Sequence, residues 1–287
     1  MTTTRVTILN SQAGPDFEAA LDQHIAWGIR DLDLKDCIYG KGIVDLSAGE
    51  AAQAETAIRS RNLDVCCLST TMFSHDLSRG ESHLLHYSLK RIPDIVQIAQ
   101  VLKPTFIRLL APQFEAASEQ RMMRALAGAP WLIGMYRSAI DEIHDAGFRC
   151  TIENETGRCI IGSPEEAILL FEAIDRPGAV TFTWDIQNMW EVGTYPSMDS
   201  YDILKPIIGY VHFKGGRSEG PRGRLAWRSS LGDASWPVAD IAKRVACDGA
   251  SPVVCINPSH GASQTGVCDD YTVADIRYLR AVMEEAK

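Results

Sequence analysis

Three short segments end an apolar run on side chains that can hold a cation. They are Thr151-Ile152-Glu153-Asn154-Glu155, Thr183-Trp184-Asp185-Ile186-Gln187-Asn188 and Tyr210-Val211-His212-Phe213-Lys214. Glu153, Asp185 and His212 together offer oxygen and nitrogen donors suited to Mn2+, Co2+, Zn2+ or Fe2+, with positions left open for substrate oxygens. Beside a carbonyl, such an ion stabilises the charge of an enediolate after a proton leaves carbon. A nearby carboxylate, His or Lys then moves the proton. Protonating the other carbon isomerises the substrate, and protonating the same carbon from the opposite face epimerises it. Expelling a β-hydroxyl dehydrates it.

Other residues surround this set, and each has a plainer reading. Glu155 is either an acid/base or a solvated loop acid. His260, in Pro258-Ser259-His260-Gly261, is a third candidate for proton transfer or a turn residue. Lys214 is either a catalytic group or the partner of a neighbouring carboxylate. His75, Lys35 and Asp36 follow the third and second strand-like runs, where they either line a pocket or lie on the surface. Trp184, Trp190 and Trp227 offer an apolar wall for sugar carbons or ordinary core packing. His24, His83, His86 and His144 fall on helical stretches, away from any site.

The elements that must position these groups alternate along the whole chain. Strand-like runs cover 5–10, 30–34, 64–69, 105–110, 149–153, 180–185, 209–213 and 252–257. About eight such runs, mostly continuous rather than alternating, fit a parallel barrel covered outside by helices. Between them, 16–27, 84–102 and 131–146 carry helical periodicity, and a closing helix runs from the 270s to 287. Ser163-Pro164-Glu165-Glu166 is a helix start and Ala146-Gly147 a helix stop. An open doubly wound sheet shares this alternation. No Gly-x-Gly-x-x-Gly or Walker-type loop follows a strand. The polar residues also cluster past strand ends, where (β/α)8 barrels build their sites. The expected fold class is therefore α/β, one (β/α)8 TIM barrel over residues 1–287.

Composition agrees with that size and narrows the partners. A chain of 287 residues with 46% hydrophobic content can bury one large core. The formal net charge of −9 and the lack of a Lys/Arg run argue against nucleic acid. No stretch approaches a membrane span or a signal peptide, so a cytoplasmic setting is expected. The 8 cysteines form no C-x-x-C pair and read as reduced, mostly buried thiols.

The segments Ile152-Glu153-Asn154, Asp185-x-x-Asn188 and Val211-His212-Phe213-Lys214 together resemble the xylose-isomerase-like TIM-barrel superfamily. That group includes sugar isomerases and epimerases, hydroxypyruvate isomerase, inosose and 3-dehydroshikimate dehydratases, and the endonuclease IV type of DNA repair enzyme. Trp190-Glu191-x-Gly193 and Leu204-Lys205-Pro206, before His212, are most similar to the dehydratase and isomerase branches. The resemblance implies metal ligation by Glu153, Asp185 and His212, with Asn188 near metal or substrate. It also implies that Arg228, followed by Leu231-Gly232-Asp233, belongs to a substrate-facing loop. The last strand departs from the family's pattern, which ends it with a second Glu acting as ligand and base. Asn257 stands there; its oxygen can coordinate a metal but cannot take a proton at neutral pH. The two-glutamate proton shuttle is thereby lost, and a site with one fewer carboxylate holds a divalent ion more weakly.

The sequence therefore leads to a metal-dependent isomerase or epimerase of a small sugar or keto-polyol. The alternatives are a dehydratase on a keto-polyol or dehydroshikimate-like substrate, or a non-catalytic sugar-binding barrel. The expected cofactor is one divalent ion, Mn2+ ahead of Co2+, Zn2+, Fe2+ and Mg2+. The expected partners are a small carbohydrate and, as in related barrels, a homodimer or homotetramer. A repair endonuclease needs several more histidines than His75, His212 and His260 near its strand ends.

Overall fold

The computed structural model describes residues 4–114, 120–218, 225–226, 228–257 and 270–286. Eight parallel strands carry it: β1 (Arg5–Ile8), β2 (Asp31–Leu34), β3 (Asp64–Ser69), β4 (Phe106–Leu110), β5 (Arg149–Glu153), β6 (Val180–Asp185), β7 (Ile208–Phe213) and β8 (Val253–Ile256). They pair in the order β1-β8-β7-β6-β5-β4-β3-β2, all in parallel. A parallel bridge between Leu9 and Asp33 joins the two ends of that order. Thr7 Oγ1 adds a hydrogen bond of 2.5 Å to the Asp31 carbonyl across the same seam. The result is a (β/α)8 barrel, nearly closed by its strand ladder.

Ten helices accompany the strands among the described residues: α1 (Phe17–Ala26), α2 (Ala48–Ser60), α3 (Glu81–Tyr87), α4 (Ile92–Leu102), α5 (Arg121–Gly128), α6 (Leu132–Asp145), α7 (Pro164–Ile174), α8 (Met198–Leu204), α9 (Val238–Asp248) and α10 (Asp270–Glu284). Their starts follow local chemistry. Asp16 caps α1, Ser47 and Glu50 form a reciprocal box at α2, and Ser163 caps α7 with Pro164 in its first turn. The periodic stretch 84–102 is not one helix. It breaks at Ser88, whose φ of −127° leaves the helical region, and Pro93 opens α4 as a new first turn. Ser88 is buried there because its Oγ accepts the Phe73 N–H at 2.8 Å.

Strand alternation separates two cores. Ile152, Phe182, Trp184, Val211, Phe213, Val254 and Ile256 face outward and join the large apolar layer beneath the helices. Burying each such side chain contributes about 1.5–3 kcal/mol relative to exposure. Inside the barrel a small separate cluster holds Leu9, Cys66, Cys67, Phe106, Tyr210, Val253 and Cys255. The next layer toward the strand C-termini is polar, with Asp33, Ser69, Arg108, Glu153, Asp185 and His212 all buried. A charged layer inside a barrel is costly unless every charge finds a partner.

Candidate metal centre

The partners are supplied by register. Glu153 on β5 lies beside Thr183, Asp185 on β6 beside His212, and His212 on β7 beside Cys255 on β8. By register Asp185 is level with His212 while Glu153 is two residues short of Asp185, and the side chains close that offset. One donor atom from each lies within 4.8 Å of the other two, and all three side chains are buried. The sequence expectation named this trio, and the fold brings it together.

The ends of β5 and β6 are locked by amides. Asn154 Nδ2 donates to the Asp185 carbonyl at 2.9 Å, and its Oδ1 accepts the Asp185 N–H at 2.9 Å. Asp185 Oδ1 then accepts the N–H groups of Gln187 and Asn188 at 3.2 and 3.3 Å. Asn188 Nδ2 donates to the Asn154 carbonyl at 2.9 Å and to Glu155 Oε1 at 3.5 Å. Asn188 therefore sits between the carboxylate ligands and the acid/base candidate.

His212 has a carboxylate on each side. Its Nδ1 is 3.0 Å from Glu153 Oε1 and 4.0 Å from Asp185 Oδ2, while Nε2 is 3.7 Å from Asp33 Oδ2. Burial alone would lower its pKa, but Glu153 and Asp33 outweigh burial and push it up to about 9. A cation bound at Nδ1 must therefore displace a proton. Asp33 is itself held: Tyr210 Oη donates to Oδ2 at 2.8 Å, and Ser69 Oγ donates to Oδ1. Once an ion displaced the Nδ1 proton, the proton left on Nε2 would face Asp33 and the Nδ1 lone pair would face Glu153 and Asp185. That would be the order of a carboxylate–histidine–metal triad, with Asp33 as the outer carboxylate. Asp33, His212 and Cys255 also converge as a second trio of donors, deeper in the barrel.

Two buried cations share the same carboxylates. Arg108 Nη1 is 2.6 Å from Glu153 Oε2, and its Nη2 donates to the Thr70 carbonyl at 3.0 Å. Lys214 Nζ is 2.8 Å from Asp185 Oδ2 and donates to Asn188 Oδ1 at 2.8 Å. Burial pushes the Glu153 carboxyl up, and Arg108 and His212 more than offset it, leaving the group below its ordinary value. For Asp185, burial and the nearby Glu153 outweigh Lys214 and His212, and the group is raised. Lys214 is fixed by its backbone: Trp236 Nε1 donates to its carbonyl at 3.1 Å, and Gln187 Nε2 donates to the Gly215 carbonyl at 2.6 Å. Gly215 has no alternative residue, since a Cβ there would strike the Ser229 carbonyl.

The donor set fits a divalent ion. Glu153 Oε2 and Asn257 Oδ1 are buried acceptors without an aligned donor. Asn257 Nδ2 lies 3.3 Å from both Asp185 Oδ2 and His212 Nδ1, so turning the amide end for end presents its oxygen to the same point. Glu153, Asp185 and His212 would hold the ion, and Asn257 is placed to join them.

The remaining candidates divide. Glu155 is half-buried at the β5 end, its Oε1 accepting the Thr156 N–H at 2.8 Å. Trp184 does not line the mouth. It alternates outward from Asp185 and packs on Tyr201 of α8 with ring centroids 6.3 Å apart. His75 is half-buried after β3 and packs edge-on against His83 at 4.8 Å. Arg228 sits over the Tyr271 ring, 5.5 Å from its centroid. His260 and Trp227 lie outside the described residues. Sequence reading missed Asp33 and Arg108. Their signal was charge inside a strand: two aspartates alternating with leucine in Asp31-Leu32-Asp33-Leu34, and a lone Arg in Phe106-Ile107-Arg108-Leu109-Leu110.

The cysteines are free among the described residues, with Cys66, Cys67, Cys150, Cys159 and Cys255 buried. No described helix is long and apolar enough to cross a membrane.

No protein-family model and no curated protein matches the chain. Solved structures do. A xylose isomerase-like TIM-barrel protein from Mycobacterium smegmatis, in complex with magnesium, is 16% identical with a TM-score of 0.73, the match covering 100% of this chain and 98% of that one. The probable 3-DHS dehydratase AsbF of petrobactin synthesis, from Bacillus anthracis, is 15% identical over 96% of this chain and 98% of that one, with a TM-score of 0.71. D-psicose 3-epimerase from Clostridium cellulolyticum H10, with D-tagatose, is 13% identical over 99% and 96%, with a TM-score of 0.65. With near-complete mutual coverage, the chain shares its (β/α)8 barrel fold with these structures.

Proposed function

We propose that the chain is an enzyme that moves a proton next to the carbonyl of a small sugar or keto-polyol, isomerising or epimerising it. The reading is carried by the convergence of Glu153, Asp185 and His212 within 4.8 Å at the C-terminal mouth of the barrel. Support also comes from the fold's likeness to a sugar epimerase, a dehydratase and a magnesium-bound relative. A divalent ion on these residues, Mn2+ first, supplies Lewis-acid stabilisation to negative charge on substrate oxygens. The protein's own groups do the rest. Asn154 fixes the Asp185 main chain and the Asn188 N–H its carboxylate. Glu155 is the base closest to the fixed set, oriented by Thr156 and Asn188. Lys214, donating to Asp185 and Asn188, is the acid that returns a proton to oxygen.

A second reading is a dehydratase, and Asn257 favours it. Epimerisation needs acid/base groups on both faces of the carbon, and the amide at the end of β8 removes one. Elimination needs one base and one acid for the departing hydroxyl, which Glu155 and Lys214 provide.

Purified protein reconstituted with Mn2+ should convert at least one member of a panel of ketoses, inososes and keto-polyols, followed by proton NMR in deuterated water. Deuterium entering a recovered sugar marks isomerase or epimerase chemistry, and an enone absorbing in the ultraviolet marks the lyase. Glu155→Gln should lower kcat by about 100-fold or more. If no substrate exchanges or loses water, with metal bound, the barrel is a binding protein instead.

A further inference from the structure

The proposed ion and two resident cations are directed at the same oxygens. Lys214 Nζ is 2.8 Å from Asp185 Oδ2 and Arg108 Nη1 is 2.6 Å from Glu153 Oε2, with side chains only 1% and 4% exposed. These two cations, with His212 facing Asp33, balance the carboxylates before any ion arrives. The trio is therefore neutralised within the fold, which is how it survives burial.

The two cations differ in freedom. Arg108 is planar, tied to the Thr70 carbonyl, and enclosed in β4. Lys214 ends in a point charge on a flexible stem, and it follows the last residue of β7. It also has a second acceptor, Asn188 Oδ1 at 2.8 Å, on the turn beyond β6. Asp185 has no spare oxygen: Oδ1 takes two backbone N–H groups, and Oδ2 takes Lys214 and Asn257. Turning Asn257 end for end removes its own donor from Oδ2, which leaves the Lys214 ammonium as the positive charge an incoming ion meets there.

We infer that Lys214 is the resident counter-ion of the centre, which a divalent cation must displace from Asp185 toward Asn188, so that Lys214 sets the affinity of the site and keeps its ion exchangeable. This rests on the metal reading given above. Loading the ion and swinging the ammonium to the Asn188–Glu155 side are then one event.

The test measures Mn2+ binding by paramagnetic resonance of free Mn2+ for the wild type, Lys214→Met and Lys214→Arg. Circular dichroism checks that each is folded. Lys214→Met, which removes the competing charge, should bind Mn2+ roughly tenfold tighter or better, and Lys214→Arg should not. Binding confined to Lys214→Met also supports displacement. Equal or weaker binding by a folded Lys214→Met, with wild-type binding intact, overturns the inference and leaves the metal reading standing. Absence of binding in every form, at millimolar Mn2+, overturns both. The wild type supplies a measurement that no variant can spoil. In a crystal structure with Mn2+ at the trio, Lys214 Nζ should be beyond hydrogen-bond reach of Asp185 Oδ2. Finding Nζ and Mn2+ together on that oxygen refutes displacement.

Discussion

Asp33 shows how much one buried side chain decides at the site. It is not one of the three proposed ligands, yet Tyr210 and Ser69 hold it 3.7 Å from Nε2 of one of them, His212. Removing its charge leaves His212 Nε2 without its nearest carboxylate. Asp33→Asn should lower Mn2+ affinity by about 10–100-fold. It should also cost about 3 kcal/mol of stability in the metal-free protein, because one partner of a buried pair is lost. Calorimetric titration and urea unfolding read the two effects, and unchanged Mn2+ affinity would show that Asp33 is only structural. Glu153, Asp185 and His212 were legible in the sequence because each stands at the end of an apolar run, where a barrel displays its chemistry. Asp33 and Arg108 were not, because one strand alone does not say which face turns inward. Both are buried and both approach the trio, Arg108 at Glu153 and Asp33 at His212, which only the assembled barrel reveals. Lys214 was open to two readings from sequence, and its pairing with Asp185 is compatible with both.

At the scale of elements, strands were easier to read than helices. The runs ending at Glu153, Asp185 and Phe213 end where the strands end, since burial on both faces requires continuous apolar residues. The stretch 84–102 misled because apolar periodicity persists across the break at Ser88, and only Pro93 marked the new start. Helix α2 was not anticipated. Its buried face is largely alanine — Ala51, Ala54 and Ala57 — which gives weak hydrophobic contrast. Packing between α10 and the 231–233 loop carries a pH signature. Asp275 accepts the Leu231 N–H at 2.7 Å, and burial pushes its carboxyl up to about 6 from 3.8, only partly opposed by that bond and by Arg228. The folded state therefore holds this proton more tightly than the unfolded chain. The group's stabilisation is complete below pH 4 and is lost as pH rises through 6. Asp275→Asn should match the wild type near pH 4 and exceed it by about 1–2 kcal/mol at pH 7.5. Urea denaturation at both values checks this, and a difference independent of pH would assign the gain elsewhere.

The whole barrel is the unit that an ion at the trio would stabilise. Glu153, Asp185 and His212 come from β5, β6 and β7, so one cation ties neighbouring staves that separate on unfolding. Any ligand of the folded state alone adds RT ln(1 + [L]/Kd), which is about 2.7 kcal/mol at 100 times Kd. For a chain of 287 residues that corresponds to a rise in Tm of roughly 5 °C. Protein stripped with EDTA and then given Mn2+ should show this shift in a thermal melt. The rise should grow with Mn2+ concentration and disappear in Asp185→Asn. Because Arg108 and Lys214 already balance the carboxylates, the stripped protein should still melt as one cooperative transition rather than as a loosened barrel. A melt insensitive to Mn2+ at every concentration would leave those cations as the permanent occupants of the mouth. The chemistry would then have to run on Lys214, Glu155 and His212 alone.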